Sequence, residues 1–383
     1  MDKLGKKQAT IVGAGLAGLC AAVTARKMGY EVHCVDKYNR VGGMPGAHPF
    51  VDSTPFDCEL MTRFLGVPIG EPQVGPCENF HVYSFGKLFK LNPAYSILHN
   101  VERGPHKTAI DRYLHDLALD MGVTFEWGNP VESQKDLALY PPDTIVATGP
   151  YREAFDALNI PYETAYGYVL SGIYRPWGGE RSYARRCAIY FDHYTRDYCY
   201  LPTANGIMAG LFFARRPVGE EHRGIWEKQL KKTEGVEFKT WRTERGYFAS
   251  RYPCQPRLFA GGKILAGTLA GAQDPGTYFG CHGAMVSGKI AAIALEDKAT
   301  AQEMFDYCNR SFNRMWLLRR VGINYAPEFT RGMVLTAAIG AVASSDLFGR
   351  IQGRGLANMI PGYLLLKNRM DRYTRFINIE HCF

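Results

Sequence analysis

Short apolar runs and helical patterns alternate along the first forty residues. Ala9-Thr-Ile-Val-Gly13 carries no charged residue, as expected of a strand that is buried on both faces of a parallel sheet. Leu16–Gly29 follows with small and apolar side chains at helical spacing, and Glu31–Val35 repeats the strand pattern. This order predicts a βαβ unit, in which a helix connects two parallel strands.

The rest of the chain predicts a second sheet and a helical C-terminal region. Residues 162–215 are rich in Tyr, Phe, Ile and Val with a period of two, which is typical of strands. Before them, Pro105–Gly122 has an approximate apolar stripe and is predicted as a helix, with a strand at Val123–Trp127. Helical patterns return over Ala284–Glu296, Ala301–Arg320 and Gly332–Ala343.

Three glycines lie directly after the first predicted strand, at positions 13, 15 and 18. Gly13 permits the tight turn, Gly15 lets the backbone approach a pyrophosphate, and Gly18 lets the helix pack closely on the sheet. The free N–H groups at the helix start attract the phosphate charge. Asp36 ends the second strand, where it can accept hydrogen bonds from a ribose. These features predict a dinucleotide site formed by Gly13, Ala14, Gly15, Leu16, Ala17, Gly18 and Asp36.

Composition and length narrow the class of protein. The chain has 383 residues, of which 46% are hydrophobic and 21% charged, and this balance excludes a disordered or fibrous protein. The length fits two coupled domains or one large α/β domain with insertions. The longest apolar run, Met333–Ala343, is shorter than a membrane span requires. Because a strand is predicted from Ala9, we expect no signal peptide and a cytoplasmic location.

The cysteines predict neither a disulfide scaffold nor a metal site. None of the ten forms a Cys-x-x-Cys pair, and no Cys/His cluster has the spacing of zinc ligands. Disulfide scaffolds belong to small secreted domains that lack a sufficient core. We therefore expect reduced thiols and no bound metal.

The net charge of +8 is concentrated near the end of the chain. Residues 310–375 hold eleven lysines and arginines against three acidic residues. Such a patch suits an anionic membrane surface, an acidic substrate or an acidic partner protein, and a solvated helix face would have the same composition. Peripheral membrane association through residues 310–375 is thus one of several open alternatives, and we expect no nucleic-acid partner.

Two glycine-rich segments resemble the motifs of a known superfamily. After Asp36 the chain continues Lys37-Tyr-Asn-Arg-Val-Gly42-Gly43, which is similar to the acid, basic residue and Gly-Gly of glutathione-reductase-like flavoproteins. Residues 263–292 resemble the second FAD motif of geranylgeranyl reductases and flavin monooxygenases, in which a strand and a small-residue turn precede a Gly-rich turn and an Ala/Ser/Gly helix. Thr268 stands where that motif usually has Asp. The resemblance implies FAD as the cofactor.

The resemblance also implies which residues contact FAD. Lys107 occupies the position of a family arginine that faces the cofactor, and Val131 that of a backbone contact with adenine. Thr148-Gly149 matches the end of a strand that closes the FAD domain, and the Gly280–Gly283 turn would place backbone N–H groups beside the flavin pyrimidine. The implied contacts are Lys37, Gly42, Gly43, Met44, Lys107, Val131, Thr148, Gly149, Gly267, Thr268, Gly280 and Gly283.

A fold class and a domain division follow from the same resemblance. We expect an α/β protein with a Rossmann-like FAD-binding domain, an inserted antiparallel β-sheet substrate domain and a helical C-terminal region. The FAD-binding domain would comprise residues 1–160 and 255–300, the substrate domain residues 161–254, and the basic helical region residues 301–383.

The leading functional hypothesis is an FAD-dependent oxidoreductase that reduces a carbon–carbon double bond of a hydrophobic isoprenoid or ring substrate. Hydride would leave flavin N5, and a proton donor would act on the opposite face. Asp197-Tyr-Cys-Tyr-Leu-Pro202 is similar to the aromatic signature of geranylgeranyl reductases, and aromatic rings suit such a substrate. The candidate donors by position are His282, Cys281 and Tyr200, followed by Cys199 and His48.

Other hypotheses stay open. Only one dinucleotide fingerprint is present in the sequence, so electrons would come from NAD(P)H docking transiently or from a protein donor. An FAD-dependent monooxygenase or halogenase that uses O2 is the alternative, although Thr148 and Thr268 replace acids that are common in those enzymes. A third hypothesis is a non-catalytic flavin-binding or membrane-associated scaffold.

Overall fold

The structure is a computed structural model. It describes residues 7–43, 49–95, 97–173, 184–194, 197–214, 217, 219–238, 241–249 and 256–377. Its strands are β1 Gln8–Val12, β2 Glu31–Asp36, β3 Phe50–Pro55, β4 Val74–Pro76, β5 Asn79–Ser84, β6 Lys87–Leu91, β7 Leu98–Arg103, β8 Thr124–Trp127, β9 Ile145–Val146, β10 Glu163–Ile173, β11 Arg186–Phe191, β12 Cys199–Ala204, β13 Ile207–Ala214, β14 Arg242–Phe248, β15 Phe259–Ala260 and β16 Lys263–Leu265. Its α-helices are α1 Leu16–Lys27, α2 Cys58–Leu65, α3 Ile110–Asp120, α4 Gln134–Ala138, α5 Arg152–Ala157, α6 Glu220–Thr233, α7 Cys281–Ile293, α8 Lys298–Asn309, α9 Phe312–Arg319, α10 Glu328–Ser344, α11 Asp346–Ala357, α12 Tyr363–Arg369 and α13 Thr374–Ile377.

The predicted βαβ unit lies at the centre of a six-stranded sheet with the order β15-β16-β9-β1-β2-β8. β1 pairs in parallel with β2 and with β9, and β16 continues the parallel pairing beside β9. Helices α1 and α7 pack closely together. At Gly288 the contact leaves no room for a side chain, since a Cβ atom there would lie 2.2 Å from the Ala17 carbonyl oxygen. Burial on both faces explains the apolar pattern of β1.

The second sheet has the order β14-β10-β13-β12-β11-β5-β6 and is antiparallel except where β11 runs parallel to β5. It therefore includes β5 and β6, which precede residues 161–254 in the chain. A three-stranded sheet, β3-β7-β4, lies between the two larger sheets, with β3 packed against β12, β13 and α7. The predicted fold class is confirmed.

The C-terminal region is helical, as predicted, with one difference. The predicted helix Ala301–Arg320 is two helices, α8 and α9, and the break contains Ser311, a residue of modest helix propensity. Within the described ranges, no single helix is long and apolar enough to cross a membrane. Glu328–Ser344 and Gly349–Gly355 reach the length and composition of a span only as a pair, bent by 107°.

Candidate functional site

A cavity of about 410 Å³ lies where the ends of β1, β2 and β9 meet the seven-stranded sheet. Ligands of open α/β sheets bind in this position, outside the carboxyl ends of the parallel strands. Of the predicted cofactor contacts, the cavity lining contains Gly13, Ala14, Gly15, Leu16, Ala17, Asp36, Lys37, Gly42, Gly43, Val131, Thr148, Gly149, Gly267, Thr268 and Gly280.

The three glycines after β1 differ in what they contact. Gly13 has a φ of 107°, and a Cβ atom there would lie 2.3 Å from the Ala147 carbonyl oxygen. A Cβ on Gly18 would lie 1.7 Å from the Gly13 carbonyl oxygen. Gly15 has an extended backbone that any residue can adopt, and a Cβ there would meet no protein atom within 4 Å. The space at Gly15 therefore serves the cavity rather than the packing of the protein.

Asp36 ends β2 beside this glycine turn. Its carboxylate accepts hydrogen bonds from the backbone N–H of Ala14, at 2.7 Å, and of Tyr38, at 2.8 Å. Burial raises the pKa of the Asp36 carboxyl, and these two hydrogen bonds oppose that shift. Each carboxylate oxygen can accept a further hydrogen bond, so the group can still bind ribose hydroxyls.

Lys37 and two tyrosines form the neighbouring wall of the cavity. The Lys37 Nζ lies 3.1 Å from the centre of the Tyr151 ring, and the hydroxyls of Tyr38 and Tyr151 are hydrogen-bonded at 2.7 Å. Burial lowers the pKa of the Lys37 ammonium. This arrangement places a cation and two phenol rings at the Asp36 end of the cavity.

The second glycine-rich segment meets the cavity at the start of α7. The backbone N–H of Gly267 donates a hydrogen bond to the Ser287 hydroxyl at 2.9 Å, which connects the turn after β16 to the helix. Gly280 is the N-cap of α7 and makes no side-chain cap, and both Gly280 and Cys281 line the cavity.

Two helix N-termini thus face one cavity, those of α1 and α7, and neither has a side-chain cap. Uncapped N–H groups and the helix dipole favour negative charge at each end. Among the residues that the structure describes, none forms a hydrogen bond with the buried Thr148 hydroxyl in the cavity wall. These groups fit FAD, because its pyrophosphate can accept hydrogen bonds from one helix and the carbonyl oxygens of its ring system from the other.

Cys281, the first residue of α7, belongs to a polar cluster on the cavity wall. Its thiol donates a hydrogen bond to Asp52 Oδ2 at 3.2 Å, and the Tyr200 hydroxyl donates to Oδ1 of the same carboxylate at 3.3 Å. Arg103 Nη1 lies 3.4 Å from Asp52 Oδ2 and 3.8 Å from the Cys281 Sγ. The Arg103 guanidinium also makes a two-point contact with Asp111, at 2.8 Å and 2.9 Å.

The electrostatics of this cluster keep its protons in place. Burial raises the pKa of both the Cys281 thiol and the Tyr200 phenol well above their ordinary values. Burial also opposes the charge on Arg103, but Asp111, Cys281 and Asp52 together raise the pKa of the guanidinium. The cluster therefore combines two protonated acids, a carboxylate and a fixed cation.

Sequence reasoning did not identify Asp52 or Arg103 as site residues. Arg103 lines the cavity, whereas Lys107, which was predicted to face the cofactor, is exposed and lies outside the lining. Asp111, which follows Lys107 in the predicted motif, is the partner that orients Arg103. Asp111 was therefore the feature of the sequence that could have pointed to Arg103, because its carboxylate binds the Arg103 guanidinium.

Several predicted residues lie away from the cavity. The His282 ring is buried, 3.0 Å from the Pro361 carbonyl oxygen through Nδ1, and burial lowers its pKa to about 4. Gly283 faces the Ala272 backbone, Gly18 packs within the β1–α1 turn, and Tyr200 reaches the cavity wall only through Asp52. The residues outside the lining are Gly18, Lys107, Cys199, Tyr200, His282 and Gly283. Met44 and His48 lie outside the described residues.

Aromatic side chains line the cavity on the side of the seven-stranded sheet. Phe248 stacks on Tyr278 with ring centres 4.9 Å apart, and Phe213 lies 6.2 Å from Tyr278. Phe213 in turn stacks on Tyr200 at 6.0 Å. Phe50 and Tyr166 complete the aromatic lining. Such a wall suits a flat or extended apolar ligand.

Comparisons with known proteins agree with this architecture. Residues 11–60 match the NAD(P)-binding Rossmann-like domain family. A search by sequence finds no match among curated proteins. A geranylgeranyl bacteriochlorophyll reductase-like protein from Thermoplasma acidophilum has a similar structure, with a TM-score of 0.65, 14% identity, and coverage of 94% of this chain and 98% of that chain.

Two further solved structures, one of them a monooxygenase, are also similar. One is p-nitrophenol 4-monooxygenase from Pseudomonas putida, with a TM-score of 0.60, 12% identity, and coverage of 93% of this chain and 99% of that chain. The other is HpxO from Klebsiella pneumoniae, crystallised with FAD and uric acid, with a TM-score of 0.60, 16% identity, and coverage of 94% of this chain and 97% of that chain. The predicted resemblance is therefore confirmed at the level of the fold, which reductase-like proteins and monooxygenases share.

Proposed function

We propose that this protein is an FAD-dependent oxidoreductase that reduces a carbon–carbon double bond of a hydrophobic isoprenoid or ring substrate. The observation that carries the proposal is the pair of uncapped helix N-termini that open into one cavity with an aromatic wall. The solved structures with this fold include an FAD complex and a reductase-like protein, and they support the same class of chemistry.

The residues that would hold FAD follow from the cavity. The start of α1 would receive the pyrophosphate, Asp36 the adenosine ribose, and the start of α7 the isoalloxazine ring. Thr148 would supply a hydroxyl with which no described residue forms a hydrogen bond. When bound, the flavin supplies a hydride at N5, and the protein contributes position, electrostatics and a proton.

The proton in this proposal is held at the Cys281 Sγ. Reduction of a carbon–carbon double bond adds a hydride to one carbon and a proton to the other, so the thiol would become a thiolate. Arg103, at 3.8 Å from the sulfur, would stabilise that charge. The Tyr200 phenol would then return a proton through Asp52, which accepts hydrogen bonds from both groups, and solvent water would restore the phenol proton after product release.

A single-turnover experiment tests this reaction. The FAD-loaded protein is photoreduced without oxygen and mixed with prenyl alkenes or unsaturated ring compounds, and flavin re-oxidation is followed by absorbance. We expect re-oxidation with formation of the saturated product. Cys281→Ala should slow this step by about 100-fold, whereas Cys308→Ala, which removes a buried thiol in α8, should leave it unchanged.

The alternative activity has a distinct signature. If no alkene re-oxidises the flavin, while oxygen consumption depends on both NADPH and a substrate, the reductase proposal is wrong and a monooxygenase takes its place. If no donor reduces the bound flavin, the protein is a flavin-binding scaffold. NAD(P)H or a protein would supply the electrons, and peripheral membrane association would give access to a hydrophobic substrate.

A further inference from the structure

Helix α10 is apolar around most of its circumference and yet hardly buried. Of its 17 residues only Arg331 and Gly332 are buried, whereas Phe329 is 78% and Met333 57% exposed. A helix that is apolar all round normally lies in a protein core or in a membrane. The protein itself therefore does not provide the environment that this sequence requires.

The inner side of α10 is fixed to the second sheet, which defines the opposite side as the outer surface. Gly332 rests on the Phe85 ring, since a Cβ there would lie 3.2 Å from the ring atoms. The Thr336 hydroxyl is 2.9 Å from the Ser84 hydroxyl, and the Arg331 guanidinium donates a hydrogen bond to the Asp192 carbonyl oxygen at 3.1 Å. Small and polar residues thus face the protein, while large apolar residues face outward.

Neighbouring elements extend the same surface. Nine of the thirteen exposed large hydrophobic residues within the described ranges lie between positions 317 and 351. They include Leu317 and Leu318 on α9, Phe329 and Met333 on α10, and Ile351 on α11. We name residues 317–351 the apolar surface. A concentration of this kind marks an interaction site, whereas singly exposed apolar residues do not.

The charge of this surface distinguishes between two partners that could cover it, a second copy of the chain and a lipid bilayer. Arg314, Arg320, Arg350 and Arg354 accompany the apolar surface, against the carboxylates of Glu328 and Asp346. His193 already contacts the Glu328 carboxylate at 2.7 Å. A symmetric contact with a second copy of the chain would bring together two surfaces that each carry a net positive charge. Anionic lipid headgroups would instead pair with the arginines while acyl chains cover the apolar side chains.

We propose that the apolar surface docks the protein on an anionic lipid bilayer, with α10 lying in the interfacial layer. The proposal concerns binding alone and does not depend on the reaction at the cavity.

The apolar surface is also connected to the cavity through α9. Leu317 and Leu318 point outward, whereas Arg319 is buried, pairs with Asp197 and donates a hydrogen bond to the Gly276 carbonyl oxygen. Residues 274–280 form the turn that carries Tyr278 and Gly280 to the cavity wall. Helix α9 therefore contacts both the apolar surface and the turn that forms part of the cavity wall.

Vesicle co-sedimentation of the full chain tests the proposal. Vesicles of phosphatidylcholine alone are compared with vesicles of equal parts phosphatidylcholine and phosphatidylglycerol. We expect binding to the anionic vesicles, weakened at least about 100-fold by the combined substitutions Phe329→Ser, Met333→Ser and Val334→Ser. Arg350→Gln with Arg354→Gln should weaken binding by about fivefold per arginine, and high salt should abolish that difference.

Controls separate docking from folding and from flavin chemistry. Leu139→Ser changes a side chain that is 83% exposed outside the apolar surface, and it should leave vesicle binding unchanged. Circular dichroism and flavin content should be the same for all variants. Failure of the wild-type protein to bind anionic vesicles would overturn the proposal. So would a lipid-free dimer that the triple serine variant dissociates, because the occupant would then be a second copy.

Discussion

Helices α7 and α10 share two short apolar segments and have opposite surroundings. Each contains Met-Val followed shortly by Ala-Ala-Ile. α7 buries 12 of its 13 residues, whereas α10 buries 2 of its 17. The difference arises from the neighbours, since α7 packs against α1 and β3 and α10 contacts the protein mainly through β5, β6 and α11. An apolar helical pattern therefore predicts a helix without predicting what will cover it.

The different burial of the two helices suits them to different roles. Helix α7 is buried along almost its whole length, which fixes the position of its start at the cavity and suits a terminus that must meet a ligand with fixed geometry. The outer side of α10 is exposed, as the proposed contact with a lipid bilayer requires.

Gly15→Val tests whether the helix termini form a ligand site. A Cβ atom at position 15 would have no protein atom within 4 Å, so we expect the fold to be retained. FAD affinity should nevertheless fall at least about 100-fold, because the side chain would occupy the space that a pyrophosphate approaches. Fluorescence titration with FAD measures the effect. Gly224→Ala, a substitution on α6 that is equally free of clashes, is the control, and equal affinity for both variants would contradict the assignment.

Met285→Ala and Met333→Ala compare the two helices directly. Met285 on α7 is fully buried, whereas Met333 on α10 is 57% exposed. We expect Met285→Ala to lower the free energy of unfolding by about 2–5 kcal/mol, and Met333→Ala to change it by less than about 0.5 kcal/mol. Urea denaturation without lipid measures both values. Similar losses for the two variants would show that α10 is also enclosed.

His282→Gln tests the burial of the start of α7 through pH. The folded protein holds His282 neutral, with a pKa of about 4 against an ordinary value of 6.5. Between these values the unfolded chain binds a proton that the folded chain does not, so stability falls as the pH falls from 6.5 to 4. The loss amounts to up to about 3 kcal/mol. Denaturation at a series of pH values should show a smaller slope for the variant; identical slopes would mean that His282 is accessible to protons.

The sequence predicted the β1–α1–β2 unit and its glycines because those residues act through local geometry. Gly13, Gly15 and Asp36 lie within one short segment, and turn, helix start and strand end follow from their spacing. The prediction for Lys107 rested on a family position, and tertiary packing instead brings Arg103 to the cavity through Asp111. His282 is adjacent to a lining residue, yet helix rotation turns its ring toward Pro361.

The sequence by itself determined the dinucleotide-type fold, the alternation of sheet and helix, and the apolar and basic composition of the C-terminal region. Tertiary structure decided the polar cluster, since Asp52 and Cys281 are 229 residues apart and meet only when β3 packs against α7. It also decided that α7 is covered and α10 is not. Local patterns specify conformation because they act over a few residues, whereas burial and side-chain contacts depend on which distant elements the folded chain brings together.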